Sequence, residues 1–332
     1  MTVRIAIPEP SIDTEYNQRS LPPYLASLHS VGATPILVPL HERPDRIAKL
    51  LSTTQGVLLP GSRFDADPQR YGEKPIPACN PADPARTAVD ELLLQDAFNL
   101  HKPVFGICQG MQNLNVWRNG TLIQDLPSVL RTPVNHSPGR GVPDAHPVAI
   151  TAGTRLAAIA ASVSDVPAST RILFNAVASL AGRAHATKPG PPAAGPFFAT
   201  GLSGAKRGPQ GEQSGAQRVS PDAKSSPATG SPNPAAAQGA KRGPLSAELV
   251  NSSHHQAVHT PGDNLRVAAV SPQDNVVEAV ELASPDHWVV AVQWHPERTY
   301  TTSDFSRALF AAFIRAAETW QPRRIEESVS TT

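Results

Sequence analysis

Short apolar runs alternate with stretches of helical period through the first hundred residues. Residues 3–7, 35–40, 56–60 and 103–108 are too short for helices and almost wholly apolar, so they read as buried strands. Between the first two, residues 21–31 carry apolar side chains at helix-like spacing and stop at Gly32, a natural C-cap. The clearest helix is predicted over residues 84–100, with Val89, Leu92, Leu93, Ala97 and Leu100 on one face. Near the other end, residues 265–270, 276–281 and 288–293 are strand-like, and 303–317 reads as a closing amphipathic helix. Strands that are apolar throughout, alternating with helices, predict an α/β domain with a mostly parallel central sheet covered on both faces.

Between these two patterned regions the periodicity vanishes. Residues 181–247 hold ten prolines and eleven glycines, and their only aromatic residues are the adjacent Phe197 and Phe198. The hexapeptide Gly-Ala-Lys-Arg-Gly-Pro occurs there twice, beginning at Gly204 and at Gly239. Such a segment buries too little apolar surface to offset its ordering entropy, so it is expected to be a disordered insertion. Residues 1–180 and 248–320 then form a single interrupted domain, with 321–332 as a flexible C-terminal tail.

Charge narrows the function by exclusion. With 29 basic against 28 acidic residues, the chain has a formal net charge of +1. That balance gives no electrostatic reason to expect nucleic acid or an anionic membrane as partner. No apolar stretch approaches the roughly 18 residues of a membrane helix, and Pro8 and Glu9 cut short any signal-peptide core. Two cysteines, Cys79 and Cys108, do not make a disulfide framework. The expectation is a soluble, cytoplasmic protein acting on a small molecule.

Two motifs carry candidate chemistry. Val104-Phe-Gly-Ile-Cys108-Gln-Gly-Met-Gln112 runs from a buried strand through Gly-x-Cys-x-Gly into a helical pattern, the arrangement of a nucleophile elbow. The flanking glycines permit a tight turn that exposes Cys108 at the carboxyl end of the sheet, where open α/β sheets place their ligands. A helix starting just after Cys108 is expected to favour its thiolate. The second motif, Gln293-Trp-His-Pro-Glu297, ends a strand. A thiol nucleophile needs a base, and the base an orienting group. His295 and Glu297 supply both types, with a proline between them to stiffen the turn. Cys79, in a proline-rich loop, has neither elbow nor partner and reads as incidental.

Taken together, Gly106-Ile-Cys-Gln-Gly-Met-Gln112 and Gln293-Trp-His-Pro-Glu297 resemble the class I glutamine amidotransferase superfamily. Further stretches are similar to its stand-alone branch of γ-glutamyl-γ-aminobutyrate hydrolases: Leu59-Pro-Gly61, Asp65-Ala-Asp-Pro-Gln-Arg-Tyr-Gly-Glu73, Asp83-Pro-Ala-Arg86, Leu114-Asn-Val116, Gly120-Thr-Leu-Ile-Gln-Asp-Leu126 and Val250-Asn-Ser-Ser-His-His-Gln256. The resemblance covers nearly everything except residues 181–247. It implies the flavodoxin-like fold of that superfamily and hydrolysis of a γ-glutamyl amide through a γ-glutamyl thioester, as in polyamine (putrescine) catabolism. Cys108 would be the nucleophile, His295 the base and Glu297 its partner. Backbone N–H groups of Gly61, Ser62 and Gln109 would form the oxyanion hole. Ser62 stands where the family has a second glycine, which leaves the conformation of that turn as a question for the structure.

Substrate contacts are expected from Gln112, His254, His255 and Gln256, with Arg86 a candidate for a substrate carboxylate. The adjacent His254 and His255 are types that bind metals, but no Cys or His cluster at metal spacing accompanies them. The sequence reading therefore assigns no metal and no cofactor, and leaves His136 and His146 unassigned. A homodimer is the default quaternary expectation. Two alternatives stay open at this level: a glutaminase subunit delivering ammonia to a separate synthetase, and a non-catalytic binding domain of the same fold.

Overall fold

The computed structural model of the protein describes residues 2–164 and 247–322. Apart from Ala247, the insertion expected at 181–247 lies outside the described residues, as does most of the expected C-terminal tail. The predicted strands and helices form in order. Strands β1 (Arg4–Pro8), β2 (Thr34–Val38), β3 (Gly56–Leu59) and β4 (Val104–Ile107) alternate with helices α1 (Thr14–Ser30), α2 (Pro44–Leu51) and α3 (Pro84–Leu100). After β4 come α4 (Gln109–Trp117), β5 (Thr121–Ile123), α5 (Leu126–Val129), β6 (His146–Ile150) and α6 (Arg155–Ser164). The C-terminal part supplies β7 (Ala247–Val250), β8 (Ala257–Thr260), β9 (Leu265–Val270), β10 (Val277–Leu282), β11 (Val289–Val292) and a last helix, α7 (Asp304–Thr319).

One sheet joins them in the order β2-β1-β3-β4-β11-β10-β9-β6-β7, with β8 also pairing β10 and β5. The half from β2 to β11 is parallel. From β11 outward every pairing is antiparallel. The links β9–β10 and β10–β11 are too short for the crossover that parallel neighbours require, so these strands turn back on themselves. The sheet is therefore mixed, and its parallel half carries the alternating β/α signature.

Both faces of the parallel half are covered, which is why its strands are apolar at nearly every position. Ile5, Ile7, Phe105, Ile107, Val290 and Val292 point into one core with Phe305, Phe310 and Phe313 of α7. Their neighbours Ala6, Val104, Val289 and Ala291 point the other way, against α2, α3 and α4. Helix α1 starts seven residues before the predicted segment, because Asp13 caps it by accepting from the Tyr16 N–H at 3.0 Å. Gly32 closes that helix with φ +80°, as its position suggested. On α3 the buried face runs through Val89, Leu93, Leu94 and Ala97, whereas Leu92 is left on the solvent side.

The closest approach of helix to sheet lies behind Cys108. A Cβ on Gly110 would fall 2.1 Å from the Leu59 carbonyl oxygen, and one on Gly106 would fall 2.9 Å from the Ala291 Cβ. The Gly110 contact cannot be relieved by a side-chain rotation, since the obstacle is the Leu59 backbone. Gly110→Ala is expected to cost about 3 kcal/mol or more through overpacking, read as a lower urea midpoint at unchanged slope.

Candidate active site

Three adjacent parallel strands, β3, β4 and β11, deliver their carboxyl ends to one pocket of about 260 Å³. From β4 comes Cys108 at φ +53°, ψ −110°, a conformation that non-glycine residues avoid. It is the N-cap position of α4, so the chain passes from strand to helix at this one strained residue. That is the elbow that Gly-x-Cys-x-Gly implied.

From β11 comes His295, whose Nδ1 lies 2.8 Å from Glu297 Oε1. A carboxylate accepts only, so Nδ1 carries the proton and Nε2 is left as a bare acceptor. The ring is gripped from its backbone as well. Asn251 Nδ2 donates to the His295 carbonyl at 2.8 Å, and Asn251 Oδ1 accepts from the His295 N–H at 2.9 Å. From β3 comes Gly61, which sets how close the groups come. A Cβ there would meet His295 Cε1 at 3.0 Å and Cys108 Cβ at 3.2 Å, so only glycine lets the two side chains face each other across this turn.

The turn after β3 resolves the question posed by Ser62. Ser62 lies outside the left-handed region, so its side chain costs no backbone strain. Its Oγ instead accepts from the Phe64 N–H at 3.2 Å, bracing the turn. The Gly61 N–H is committed to the Tyr24 hydroxyl at 3.0 Å. Ser62 and Gln109, the latter at the N-terminal end of α4, both line the pocket, and the Gln109 N–H lies against the Cys108 sulfur. The Gln109 side chain ties the two sides together, donating from Nε2 to the Phe64 carbonyl at 2.8 Å.

Burial dominates the electrostatics. It pushes the Cys108 thiol up to about 12, with the nearby Arg298 charge only partly opposing it. It pulls His295 down to about 4 despite the attraction of Glu297. Burial also opposes ionisation of Glu297, but the charge and hydrogen bond of His295, with Arg298, hold that carboxyl below its usual range. The expectation that the helix start leaves Cys108 as a ready thiolate is therefore reversed. Desolvation of the buried thiol outweighs the Arg298 charge and the Gln109 N–H, both of which favour the thiolate, so burial favours thiol and neutral imidazole as the resting pair.

The remaining predicted site residues divide. Gln112, His254, His255 and Gln256 all line the pocket. Gln112 Nε2 donates to the Gln256 carbonyl and to Gln293 Oε1. His255 sits between Asp65 at 3.0 Å and Asp125 at 3.1 Å, and its hydrogen bond to Asp65 leads in raising its pKa. Arg86 is neither in the pocket nor on the helix surface, for it is 0% exposed. It is bonded to Asp90 Oδ1 at 2.7 Å and to the carbonyls of Pro10 and Pro60 at 2.9 and 2.6 Å, so it braces the turn from behind. Cys79 does have a partner, donating from Sγ to Gln124 Oε1 at 3.0 Å.

Sequence reasoning missed Arg298 and Asn251. Arg298 lines the pocket, and its Nη1 is buried with no hydrogen-bond partner among the described residues. Its place directly after His-Pro-Glu was the available signal. Asn251 lay within a quoted motif, but its grip on His295 spans 44 residues of chain and exists only in the fold.

A strained cysteine elbow beside a carboxylate-held imidazole, on an α/β sheet, suits a glutamine amidotransferase-like hydrolase. The chain belongs to the Peptidase C26 family, whose model matches residues 8–180 and 234–297. Among curated relatives, "Putative glutamine amidotransferase Rv2859c" of Mycobacterium tuberculosis is 27% identical over 302 residues, covering 91% of this chain and 68% of its own length. "Protein NtpR" of Enterococcus hirae is 24% identical over 292 residues, covering 88% and 87%. "Gamma-glutamyl-gamma-aminobutyrate hydrolase PuuD" of Escherichia coli is 25% identical over 306 residues, covering 89% and 85%. Among the described residues, no helix is long and apolar enough to cross a membrane.

The neutral resting pair has a measurable consequence. Alkylation of Cys108 by iodoacetamide, followed by mass spectrometry, is expected to accelerate continuously through about pH 9. A rate that is flat from about pH 5 to 8 would show a preformed thiolate–imidazolium pair instead.

Proposed function

We propose that the protein hydrolyses γ-glutamyl amides, with Cys108 as nucleophile, His295 as base and acid, and Glu297 as the group that orients His295. The observation that carries this reading is the strained elbow at Cys108 beside His295, whose Nδ1 is fixed by Glu297 at 2.8 Å. As Sγ attacks the side-chain carbonyl carbon of the γ-glutamyl group, its proton passes to His295 Nε2. The N–H groups of Ser62 and Gln109 would donate to the developing oxyanion, the kind of preorganised stabilisation worth about 10²–10³ in rate per donor. His295 then protonates the leaving nitrogen, and the carbon–nitrogen bond breaks to give a thioester and a free amine. Water, deprotonated by His295, attacks the thioester. Glutamate leaves and the thiol is restored.

A γ-glutamyl substrate also carries an α-carboxylate. Arg298 offers it a half-buried cation whose Nη1 has no hydrogen-bond partner among the described residues. Similarity to the γ-glutamyl-γ-aminobutyrate hydrolase supports γ-aminobutyrate as one leaving amine. Other γ-glutamyl amines and peptides fit the same chemistry.

A panel of γ-glutamyl amides, with free glutamate as readout, tests the reading. Cys108→Ala is expected to show no turnover, and Glu297→Gln a fall of about 10²–10⁴ in kcat. Arg298→Ala should raise KM at least about tenfold with a smaller change in kcat. If wild-type protein releases glutamate from none of the panel, the proposal fails.

The acid limb of the pH profile follows from His295. Its pKa is held at about 4, so the base stays unprotonated down to that pH. The acid limb of kcat/KM should therefore lie well below the usual histidine value of about 6.5, as initial rates across pH would record.

A further inference from the structure

Behind the pocket wall, four side chains from distant parts of the chain converge. His136 comes from the loop after α5, His146 opens β6, His254 lies between β7 and β8, and Glu278 stands on β10. All four are buried, Glu278 completely, and one ligand atom from each lies within 4.8 Å of the others.

The outer hydrogen bonds fix which atoms face inward. His136 Nε2 lies 2.9 Å from the Asp274 carboxylate, which also accepts from the Thr132 hydroxyl at 2.7 Å. His146 Nδ1 lies 3.2 Å from the Pro147 carbonyl, and His254 Nδ1 lies 2.9 Å from the Gln256 carbonyl. Carboxylates and carbonyls only accept, so each of those nitrogens carries its ring's proton. The opposite nitrogens, His136 Nδ1, His146 Nε2 and His254 Nε2, are then bare lone pairs. Among the described residues none of them makes a well-aligned hydrogen bond, and neither does either oxygen of Glu278, although Glu278 Oε1 comes close to all three nitrogens.

Three lone pairs and a carboxylate aimed at one buried point repel one another unless a cation sits among them. A single proton does not suffice, because it satisfies one nitrogen and leaves two orphaned. The three spacings from Glu278 suit a metal ion, and the rest of the cluster, within 4.8 Å, would close slightly around it. Glu278 Oε1 lies 3.2, 3.5 and 3.6 Å from the inward nitrogens of His136, His146 and His254. Four ligands in a tetrahedron with bonds of about 2.0–2.1 Å are separated by about 3.3–3.4 Å.

We propose that His136, His146, His254 and Glu278 bind a zinc-class divalent cation in a closed, four-ligand structural site. Three imidazoles and one carboxylate form a donor set suited to that class. Asp274 fixes His136 from outside in a carboxylate–histidine–metal arrangement. With Glu278 and Asp274 ionised, the dication leaves the buried group neutral overall. The sequence reading found no metal because the ligands are spread over more than 140 positions; the fold gathers them.

The ion would staple β6, β10 and the loop after α5 to residues 251–256. That segment holds Asn251, which grips His295, so the metal would act on the pocket as a positioning element and take no part in bond chemistry. This inference is independent of the reaction proposed above.

The test starts with full-length protein whose Cys108 has been alkylated, so that its thiol cannot bind metal. The protein is stripped with chelator, then titrated with zinc chloride or cobalt(II) chloride. About one zinc per chain is expected, as for a four-ligand structural site. Cobalt should give the intense visible absorption of a four-coordinate ion, and zinc should restore a melting temperature lowered by chelation. His146→Ala and Glu278→Gln should lose that uptake, whereas His259→Ala, an exposed histidine on β8, should keep it. Should the variants not fold, the wild-type melting shift and cobalt spectrum decide alone. Stripped wild-type protein that takes up no stoichiometric zinc, shows no melting shift and gives only a six-coordinate cobalt spectrum would overturn the proposal.

Discussion

The site depends on one close approach, that of α4 to the edges of β3 and β11. Gly106 and Gly110 let the helix start so near the sheet that Cys108 must adopt φ +53° to join strand to helix. A strained residue persists only where its surroundings over-determine it. Here two buried strands, a buried helix and the Leu59 carbonyl do so. The strain aims the thiol into the pocket, and Gly61 lets His295 come up to it.

Closeness brings dryness, and dryness sets the chemistry. Cys108 and His295 are both buried, so each holds its uncharged form more strongly than in water. In the proposed reaction, the charge separation of a thiolate–imidazolium pair would be reserved for the moment of attack, when the backbone donors at Ser62 and Gln109 would have an oxyanion to meet. Glu297 fits that scheme as an ionised partner that fixes the imidazole tautomer and awaits the imidazolium.

Residues 251–256 connect the pocket to the antiparallel half of the sheet. Asn251 holds the His295 backbone, His255 spans two carboxylates on the pocket wall, and His254 turns away into the buried histidine cluster. Neighbouring residues thus serve opposite faces of one segment. Arg86 plays a comparable part on the other side, with a guanidinium spent on Asp90 and on holding Pro10 and Pro60 in place.

Local signals in the sequence were enough for the strand–helix alternation, the covered parallel sheet and the elbow around Cys108. Each is encoded within a few residues, by apolar runs, helical period and paired glycines. The His-Pro-Glu turn was legible for the same reason. What tertiary structure alone decided involves distance along the chain. The antiparallel half of the sheet, the commitment of the Gly61 N–H to Tyr24, the burial of Arg86 and the grip of Asn251 on His295 all join segments far apart in sequence. The protonation of Cys108 was also beyond the sequence, because desolvation depends on everything packed around a group. The histidine cluster belongs here too: His136, His146, His254 and Glu278 share no spacing rule and meet only because β6, β9 and β10 lie side by side.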